Sequence, residues 1–143
     1  MSKTAIIYWS GTGNTQTMAM SVLDGARKAD PDTDFFSVSE ITADAAAAYD
    51  NLLLGCPAMG AEVLEESEFE PFFTELEAHL SGKNVGLFGS YGWGDGEWMR
   101  SWEDRVRDAG ATLVGGEGVI ANEAPDEDAQ AACEKLGEAV AAL

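Results

Sequence analysis

Short apolar runs alternate along the chain with longer segments in which apolar residues recur every three or four positions. The runs predict five β-strands at residues 4–9, 35–38, 52–56, 85–89 and 112–114, the last with a longer alternative that reaches residue 120. The periodic segments predict helices over residues 14–28, 71–80, 97–109 and 126–142. The third of these helices shows the pattern clearly, since Trp98, Trp102 and Val106 fall on one face.

Nearly continuous apolar strands that alternate with helices are typical of a parallel sheet covered by helices on both faces. Five such strands within 143 residues predict a doubly wound α/β sheet, and the absence of any linker or repeat predicts a single domain over residues 1–143. In sheets of this kind, ligands bind beyond the carboxyl ends of the strands, where the strand order reverses. The loops after the first, third and fourth strands therefore form the candidate site.

The net charge of the chain limits the classes of partner that it can bind. Lys and Arg total 8 and Asp and Glu total 26, which gives a formal net charge of −18. Such a surface repels nucleic acid and anionic membranes and suits partners with basic docking patches, although it also serves solubility. Cys56 and Cys133 are far apart and lie in no metal or dithiol motif, so we expect two buried thiols. No signal peptide pattern precedes the first strand, and we expect a cytoplasmic protein.

The loop after the first predicted strand combines two glycines with four polar side chains, and it leads directly into a predicted helix. Its residues are Ser10, Gly11, Thr12, Gly13, Asn14 and Thr15. Glycines let the backbone turn sharply and direct N–H groups to one point, and a helix N-terminus adds partial positive charge. The loop lacks the lysine of a nucleoside-triphosphate loop, and Gln16 replaces the third glycine of a dinucleotide fingerprint. The pattern favours a single phosphate group over an ordinary capped helix start.

Two further glycine-containing loops follow the third and fourth strands, at residues 57–62 and 90–96. Trp93 lies between two glycines, where no periodic pattern buries it. It is therefore either a stacking surface for a flat aromatic ligand or a side chain packed on the neighbouring helix. Met59 has a soft, adaptable side chain that could cover the opposite face of such a ligand.

Together the three loops resemble the FMN-binding loops of flavodoxins. The resemblance rests on residues 10–15 (SGTGNT), 58–60 (AMG) and 89–96 (GSYGWGDG), and residues 62–72 (EVLEESEFEPF) resemble the short-chain, clostridial-type members. It covers essentially the whole chain, and no long insertion interrupts the fifth strand as in long-chain members. The resemblance implies a flavodoxin-like fold with strand order 2-1-3-4-5. It also implies a low-potential one-electron carrier whose non-covalently bound FMN shuttles between quinone, semiquinone and hydroquinone states.

By the same resemblance, each loop meets a different part of FMN. Hydroxyl and amide groups of the first loop hold the phosphate, and Met59 and Trp93 cover the two faces of the isoalloxazine. The Gly60 carbonyl accepts from the flavin N5–H after reduction, Glu62 accepts from N3–H, and backbone amides around Gly92 meet the pyrimidine edge. The full set of residues expected at the cofactor is Ser10, Gly11, Thr12, Gly13, Asn14, Thr15, Ala58, Met59, Gly60, Ala61, Glu62, Ser90, Tyr91, Gly92, Trp93, Gly94 and Asp95.

Two positions depart from the family pattern. Pro57 stands where close relatives have a serine near the phosphate, which removes one hydroxyl and one N–H. Ala61 stands where relatives often carry a polar residue or glycine. A type II turn over residues 59–62 requires positive φ at Ala61, whereas the type II′ form that accompanies flavin reduction requires it at Gly60. Because alanine disfavours positive φ, the sequence favours the second form.

The implied partners are redox enzymes with basic docking surfaces, such as reductases and iron–sulfur oxidoreductases, and the chain is expected to act as a monomer without catalytic residues or metal of its own. The acidic residues of the segment 65–77 either dock such a partner or form a solvated face. A flavin enzyme such as a quinone reductase is the alternative, but it requires an open ring face, which Met59 and Trp93 would cover. A receiver-type signalling domain requires acidic residues at positions that read Trp9-Ser10 and Cys56-Pro57 here.

Overall fold

The structure, a computed structural model, describes residues 3–143. Within that range, six strands form one parallel sheet, and five α-helices and one short 3₁₀ helix (Val38–Glu40) accompany it. The strands are β1 (Thr4–Tyr8), β2 (Asp34–Ser37), β3 (Asn51–Gly55), β4 (Asn84–Tyr91), β5 (Thr112–Leu113) and β6 (Val119–Asn122). The α-helices are α1 (Asn14–Ala29), α2 (Ala43–Ala46), α3 (Phe69–Glu77), α4 (Glu97–Asp108) and α5 (Glu127–Ala141).

The strand order is β2-β1-β3-β4-β5, which confirms the predicted doubly wound, flavodoxin-like topology. The fifth position of the sheet is shared by two strands, because β5 pairs with the start of β4 and β6 pairs with its end. Residues 114–118 interrupt this position, and Gly115 and Gly116 there have φ of 85° and 79°. The longer predicted strand, to residue 120, is therefore wrong as one continuous strand.

Each face of the sheet carries its own hydrophobic core. Ile6, Leu53 and Phe88 pack with α1 and α5, whereas Ile7 and Leu54 point to the other face and pack with α3 and α4. This alternation is expected for a sheet buried on both sides, and it confirms helices on both faces. Helices α1 and α5 approach closely, since a Cβ added at Gly137 would lie 2.1 Å from the Val22 carbonyl oxygen.

Several boundaries differ from the sequence-based prediction. β2 ends at Ser37, because Val38 begins the 3₁₀ helix, and the short helix α2 lies in a segment for which the pattern predicted no helix. Helix α3 begins at Phe69 rather than residue 71 and ends at Glu77 rather than residue 80. Pro71 is tolerated there, because N–H groups in a first helical turn have no partner inside the helix.

The two cysteines are buried, free and placed in different cores. Burial raises the pKa of Cys133 to about 12 and raises that of Cys56 further, so neither thiol ionises readily near neutral pH. Among the described residues, no helix is both long and apolar enough to span a bilayer.

Candidate functional site

A cavity of about 620 Å³ opens at the carboxyl edge of the sheet, next to the ends of β1, β3, β4 and β6. Chain order reverses between β1 and β3, so this is the place where doubly wound folds bind ligands. The cavity is lined by Trp9, Gly11, Thr12, Asn14, Pro57, Ala58, Met59, Ser90, Tyr91, Gly92, Trp93, Glu123 and Ala124.

More than half of the predicted cofactor residues line this cavity, and all three predicted loops reach it. Those that line it are Gly11, Thr12, Asn14, Ala58, Met59, Ser90, Tyr91, Gly92 and Trp93. The predicted residues that are not part of the lining are Ser10, Gly13, Thr15, Gly60, Ala61, Glu62, Gly94 and Asp95. The structure thus brings the three loops together but gives their residues different positions.

The loop of residues 10–15 is held by its own polar groups. The Ser10 hydroxyl oxygen accepts the N–H groups of Gly13 and Gln16 at 3.1 and 3.3 Å, and Gly13 has the left-handed φ of 100° before α1 begins. The Thr15 hydroxyl is buried against Ser90, whose N–H it accepts at 3.3 Å. The first turn of α1 contains no acidic residue, so the helix dipole remains available to an anion.

The segment after β3 forms a closed turn. Met59 and Val63 exchange two backbone hydrogen bonds of 2.8 and 2.9 Å, so the turn spans five residues rather than the predicted four. Positive φ occurs at Gly60 (52°) and Glu62 (55°) and not at Ala61. The expectation that Gly60 carries positive φ agrees with the structure, but the second left-handed residue, Glu62, was not foreseen.

Trp93 joins this turn to the loop that follows β4. Its indole N–H donates to the Gly60 carbonyl oxygen at 3.2 Å, and its side chain is 57% exposed at the cavity rim. Trp93 is therefore not buried against the neighbouring helix, which was the alternative left open by the sequence. An exposed indole in this position presents a flat face for an aromatic ligand.

Three carboxylates gather beside these two loops. Oxygens of Glu62, Asp95 and Glu97 lie within 4.8 Å of one another. Glu62 accepts the backbone N–H of Glu97 at 3.2 Å, and Asp95 forms a 2.9 Å ion pair with Arg100. Most of this charge remains exposed, so it creates a negative potential at this end of the cavity.

The acidic segment 65–77 is not a uniform solvated or docking face. Glu65 is buried and accepts the N–H groups of Ser67, Glu68 and Phe69 at 2.7–2.9 Å, which caps the start of α3. Burial raises the pKa of Glu65, whereas these backbone hydrogen bonds lower it. The hydrogen bonds together have the larger effect, so the pKa of Glu65 lies below its ordinary value. Arg105 binds both Glu70 and Glu77, at 2.7 and 3.0 Å.

Four cavity residues were absent from the predicted set: Trp9, Pro57, Glu123 and Ala124. The sequence pattern predicts Trp9 as the last residue of the first strand, but β1 ends one residue earlier, at Tyr8. Its indole N–H donates to Glu68 at 3.2 Å, and its ring leaves no space for a side chain at Gly11, where a Cβ would lie 2.9 Å away. An aromatic residue directly before a glycine-rich loop is the signal that could have identified Trp9.

Comparisons with known proteins agree with this geometry. The flavodoxin family model matches residues 6–137. The chain is 51% identical to the flavodoxin of Megasphaera elsdenii over 95% of this chain and 96% of that protein. It is 48% identical to the flavodoxin of Clostridium beijerinckii over 95% and 97% of the two chains.

Comparison of the fold with solved structures points to the same family. The solution structure of two-electron reduced Megasphaera elsdenii flavodoxin superposes with a TM-score of 0.88 and covers 98% of this chain and 99% of that one, at 49% identity. Relatives of this similarity support the carrier rather than the flavin-enzyme alternative. The chain belongs to the flavodoxin family, the FMN-binding proteins that carry electrons between redox partners.

Proposed function

We propose that FMN lies in this cavity with its phosphate at the phosphate-side loop (residues 10–15) and its ring at the ring-side loops (residues 59–63 and 92–96). The observation that carries this assignment is the difference in chemistry between the two ends of the cavity. One end offers hydroxyl and N–H donors at a helix start, whereas the other offers a thioether and an exposed indole. A phosphate suits the first end, and a flat ring suits the second.

The residues fit this ligand. Among the residues that the structure describes, no Lys or Arg lines the cavity, so the phosphate is held by the dipole of α1 and by uncharged donors. Thr12 and Asn14 line the cavity and contact the phosphate directly. Ser10 and Thr15 play a different part, because their oxygens already accept backbone N–H groups and hold the phosphate-side loop in shape.

Bound FMN supplies a ring that accepts and releases single electrons. Met59 and Trp93 cover the two faces of that ring, which leaves no space for a substrate stacked on either face. The Trp93 indole also holds the Gly60 carbonyl at the same rim. This arrangement suits electron exchange at the exposed edge rather than chemistry on a second bound molecule.

The partner surface follows from the exposed carboxylates. We assign docking to Glu62, Asp95 and Glu97 together with the exposed Glu66 and Glu75, which meet basic patches on reductases or iron–sulfur enzymes. Glu65, Glu70 and Glu77 are committed to internal contacts. The whole chain acts as a single domain and as a monomer in the cytoplasm. Electron transfer to a basic redox partner should slow steeply as salt rises.

Reconstitution with FMN tests the proposal. We expect one FMN per chain, much weaker binding of riboflavin, and two separate one-electron steps on anaerobic titration with dithionite. A chain that binds riboflavin as tightly as FMN would contradict the phosphate-side assignment. A single two-electron step with rapid turnover of a quinone would instead support the flavin enzyme.

A further inference from the structure

Two residues of the phosphate-side loop that line the cavity, Gly11 and Thr12, have free backbone N–H groups. Among the described residues, these two N–H groups bind no protein acceptor, whereas those of Gly13 and Gln16 bind Ser10. Free N–H groups beside a helix start suit an anion, but they bind it well only if the loop is already held in shape. Some contact other than a hydrogen bond must therefore hold this part of the loop.

The ring of Trp9 makes that contact. A Cβ at Gly11 would lie 2.9 Å from the ring carbon Cη2 and 3.3 Å from Cζ3, so the backbone of Gly11 lies directly against the indole. Gly11 is not among the glycines with positive φ, and lack of space rather than backbone conformation excludes a side chain there. The absence of a side chain thus allows the loop to pack on the ring.

Trp9 is itself held at two points. Its backbone N–H donates to the Gly55 carbonyl oxygen at 3.0 Å, at the end of the β1–β3 pairing, and its indole N–H donates to the Glu68 carboxylate at 3.2 Å. Glu68 is exposed and does not line the cavity, but its own N–H is bound by Glu65 at 2.7 Å. A continuous set of contacts therefore runs from the cap of α3 through Glu68 and Trp9 to Gly11.

From these contacts we propose that Trp9 and Glu68 are positioning residues for phosphate recognition. The Trp9 ring supports Gly11, and the Glu68 carboxylate fixes the ring, so the N–H groups of Gly11 and Thr12 are directed at the phosphate before it binds. This role rests on the placement of FMN proposed above. It does not require Glu68 to touch the phosphate, because a carboxylate accepts hydrogen bonds and repels an anion.

Glu68 provides the sharpest test, because charge and hydrogen bonding predict opposite effects there. Glu68→Ala removes the acceptor and should weaken FMN about threefold, although the loss of negative charge alone would strengthen it. Glu68→Gln keeps an oxygen that accepts the indole N–H, so FMN should bind at least as tightly as it does to the parent chain. Riboflavin affinity should stay unchanged in both variants. Glu138→Ala, on a helix that contributes no residue to the cavity lining, is the matched control and should alter neither affinity.

Trp9→Leu removes the ring itself. We expect FMN to bind about tenfold more weakly and riboflavin to change much less, because only the ligand with a phosphate has to order the loop. NMR relaxation of the flavin-free protein gives a measurement that needs no ligand. The N–H groups of Gly11 and Thr12 should become more mobile on the picosecond-to-nanosecond timescale in Trp9→Leu and Glu68→Ala, and not in Glu68→Gln.

Three results would overturn the positioning role. They are FMN binding by Glu68→Ala that is as tight as in the parent chain or tighter, equal losses of FMN and riboflavin in Trp9→Leu, and unchanged relaxation of Gly11 and Thr12 in both variants. Because Glu68 is exposed, its variants keep the test open even if Trp9→Leu fails to fold. Failure of the parent chain to prefer FMN over riboflavin would instead count against the placement of FMN itself.

Discussion

The two ends of the cavity are built in different ways. The phosphate-side loop is continuous in sequence and carries no charge. Ser10 shapes it through bonds to residues three and six positions away, Gly13 and Gln16, and Thr15 anchors its end to Ser90 of β4. The ring-side loops come from separate parts of the chain, and the Trp93–Gly60 hydrogen bond joins residues 33 positions apart. Positive φ at Gly60, Glu62 and Gly94 and a group of carboxylates also distinguish this end.

This difference separates two tasks of a flavodoxin. In the placement of FMN proposed above, the phosphate-side loop holds a group whose charge does not change on reduction. The ring-side loops, which are assembled from separate segments and carry several carboxylates, surround the group whose charge does change. Substitutions at the two ends should therefore affect different measurements.

The largest expected effect is on phosphate recognition. Thr12→Val removes one hydroxyl that lines the cavity while preserving shape, and a hydrogen bond to a charged group is worth about 1.5–3 kcal/mol. We expect FMN to bind roughly 10- to 100-fold more weakly, with riboflavin nearly unchanged, by fluorescence titration. Thr17→Val, one turn along α1, is the control, because its hydroxyl donates to the Gly13 carbonyl and is not part of the cavity lining. Equal losses for both ligands would show that the loop does not hold phosphate.

Much of this contrast could be predicted from the sequence. The phosphate-side loop and the strand order depend on local patterns, and residues 10–15 and 58–60 indicate them directly. The left-handed Glu62 and Glu123 and the buried cap of Glu65 could not be predicted, because each depends on contacts made after the chain has folded. Glu65 and Glu66 are adjacent glutamates that the sequence pattern does not distinguish, yet Glu65 is buried and Glu66 is exposed.

Glu65 provides a second test, because it holds the segment that follows the turn of residues 59–63. Glu65→Ala leaves three backbone N–H groups without their acceptor, two just before α3 and one in its first residue, and we expect a loss of about 2 kcal/mol in the free energy of unfolding. Since the folded pKa is lowered, the contribution of Glu65 is present above the unfolded pKa and is lost as pH falls through the folded pKa. Denaturant unfolding between neutral and acid pH measures both. Glu66→Ala should cost little, and an equal loss there would refute the capping role.

Charge at the ring-side loops should act mainly on the second reduction step, in which we expect the flavin to become anionic. One carboxylate at about 10 Å contributes ~0.4 kcal/mol in water, so three contribute about 1.2 kcal/mol, or about 50 mV for one electron. Neutralising Glu62, Asp95 and Glu97 together should therefore raise the second potential by at least about this amount. Neutralising Asp24, Glu134 and Glu138 on α1 and α5 is the control for net charge. If both triple variants shift the potential equally, local placement is unimportant.

The indole hydrogen bond offers a smaller test of how the ring-side loops are held together. Trp93→Phe keeps an aromatic face but removes the donor to the Gly60 carbonyl, a bond typically worth about 0.5–1.5 kcal/mol. We expect FMN and riboflavin to weaken by the same factor, about three- to tenfold, in contrast to the selective effect of Thr12→Val. Trp102→Phe is the aromatic control, because Trp102 is not among the residues that line the cavity and packs on Phe69 and Phe73 of α3. A loss confined to FMN would contradict this division of the cavity.

The smallest expected effect concerns a single methyl group at Ala61. The structure places positive φ at Gly60 and leaves Ala61 outside the left-handed region, which is the form that an alanine permits. The alternative peptide orientation would require positive φ at Ala61, at a cost of roughly 1 kcal/mol that Ala61→Gly removes. The turn would then no longer favour the orientation in which, by resemblance, the Gly60 carbonyl accepts from reduced flavin. We expect the first potential to fall by about 20–60 mV, at 59 mV for each factor of ten.

Ala61→Ser keeps a Cβ and with it the same preference for negative φ, so equilibrium potentiometry should give the parent value for that variant. A first potential that stays constant or rises in Ala61→Gly would show that the turn is fixed by its Met59–Val63 hydrogen bonds rather than by the side chain between them.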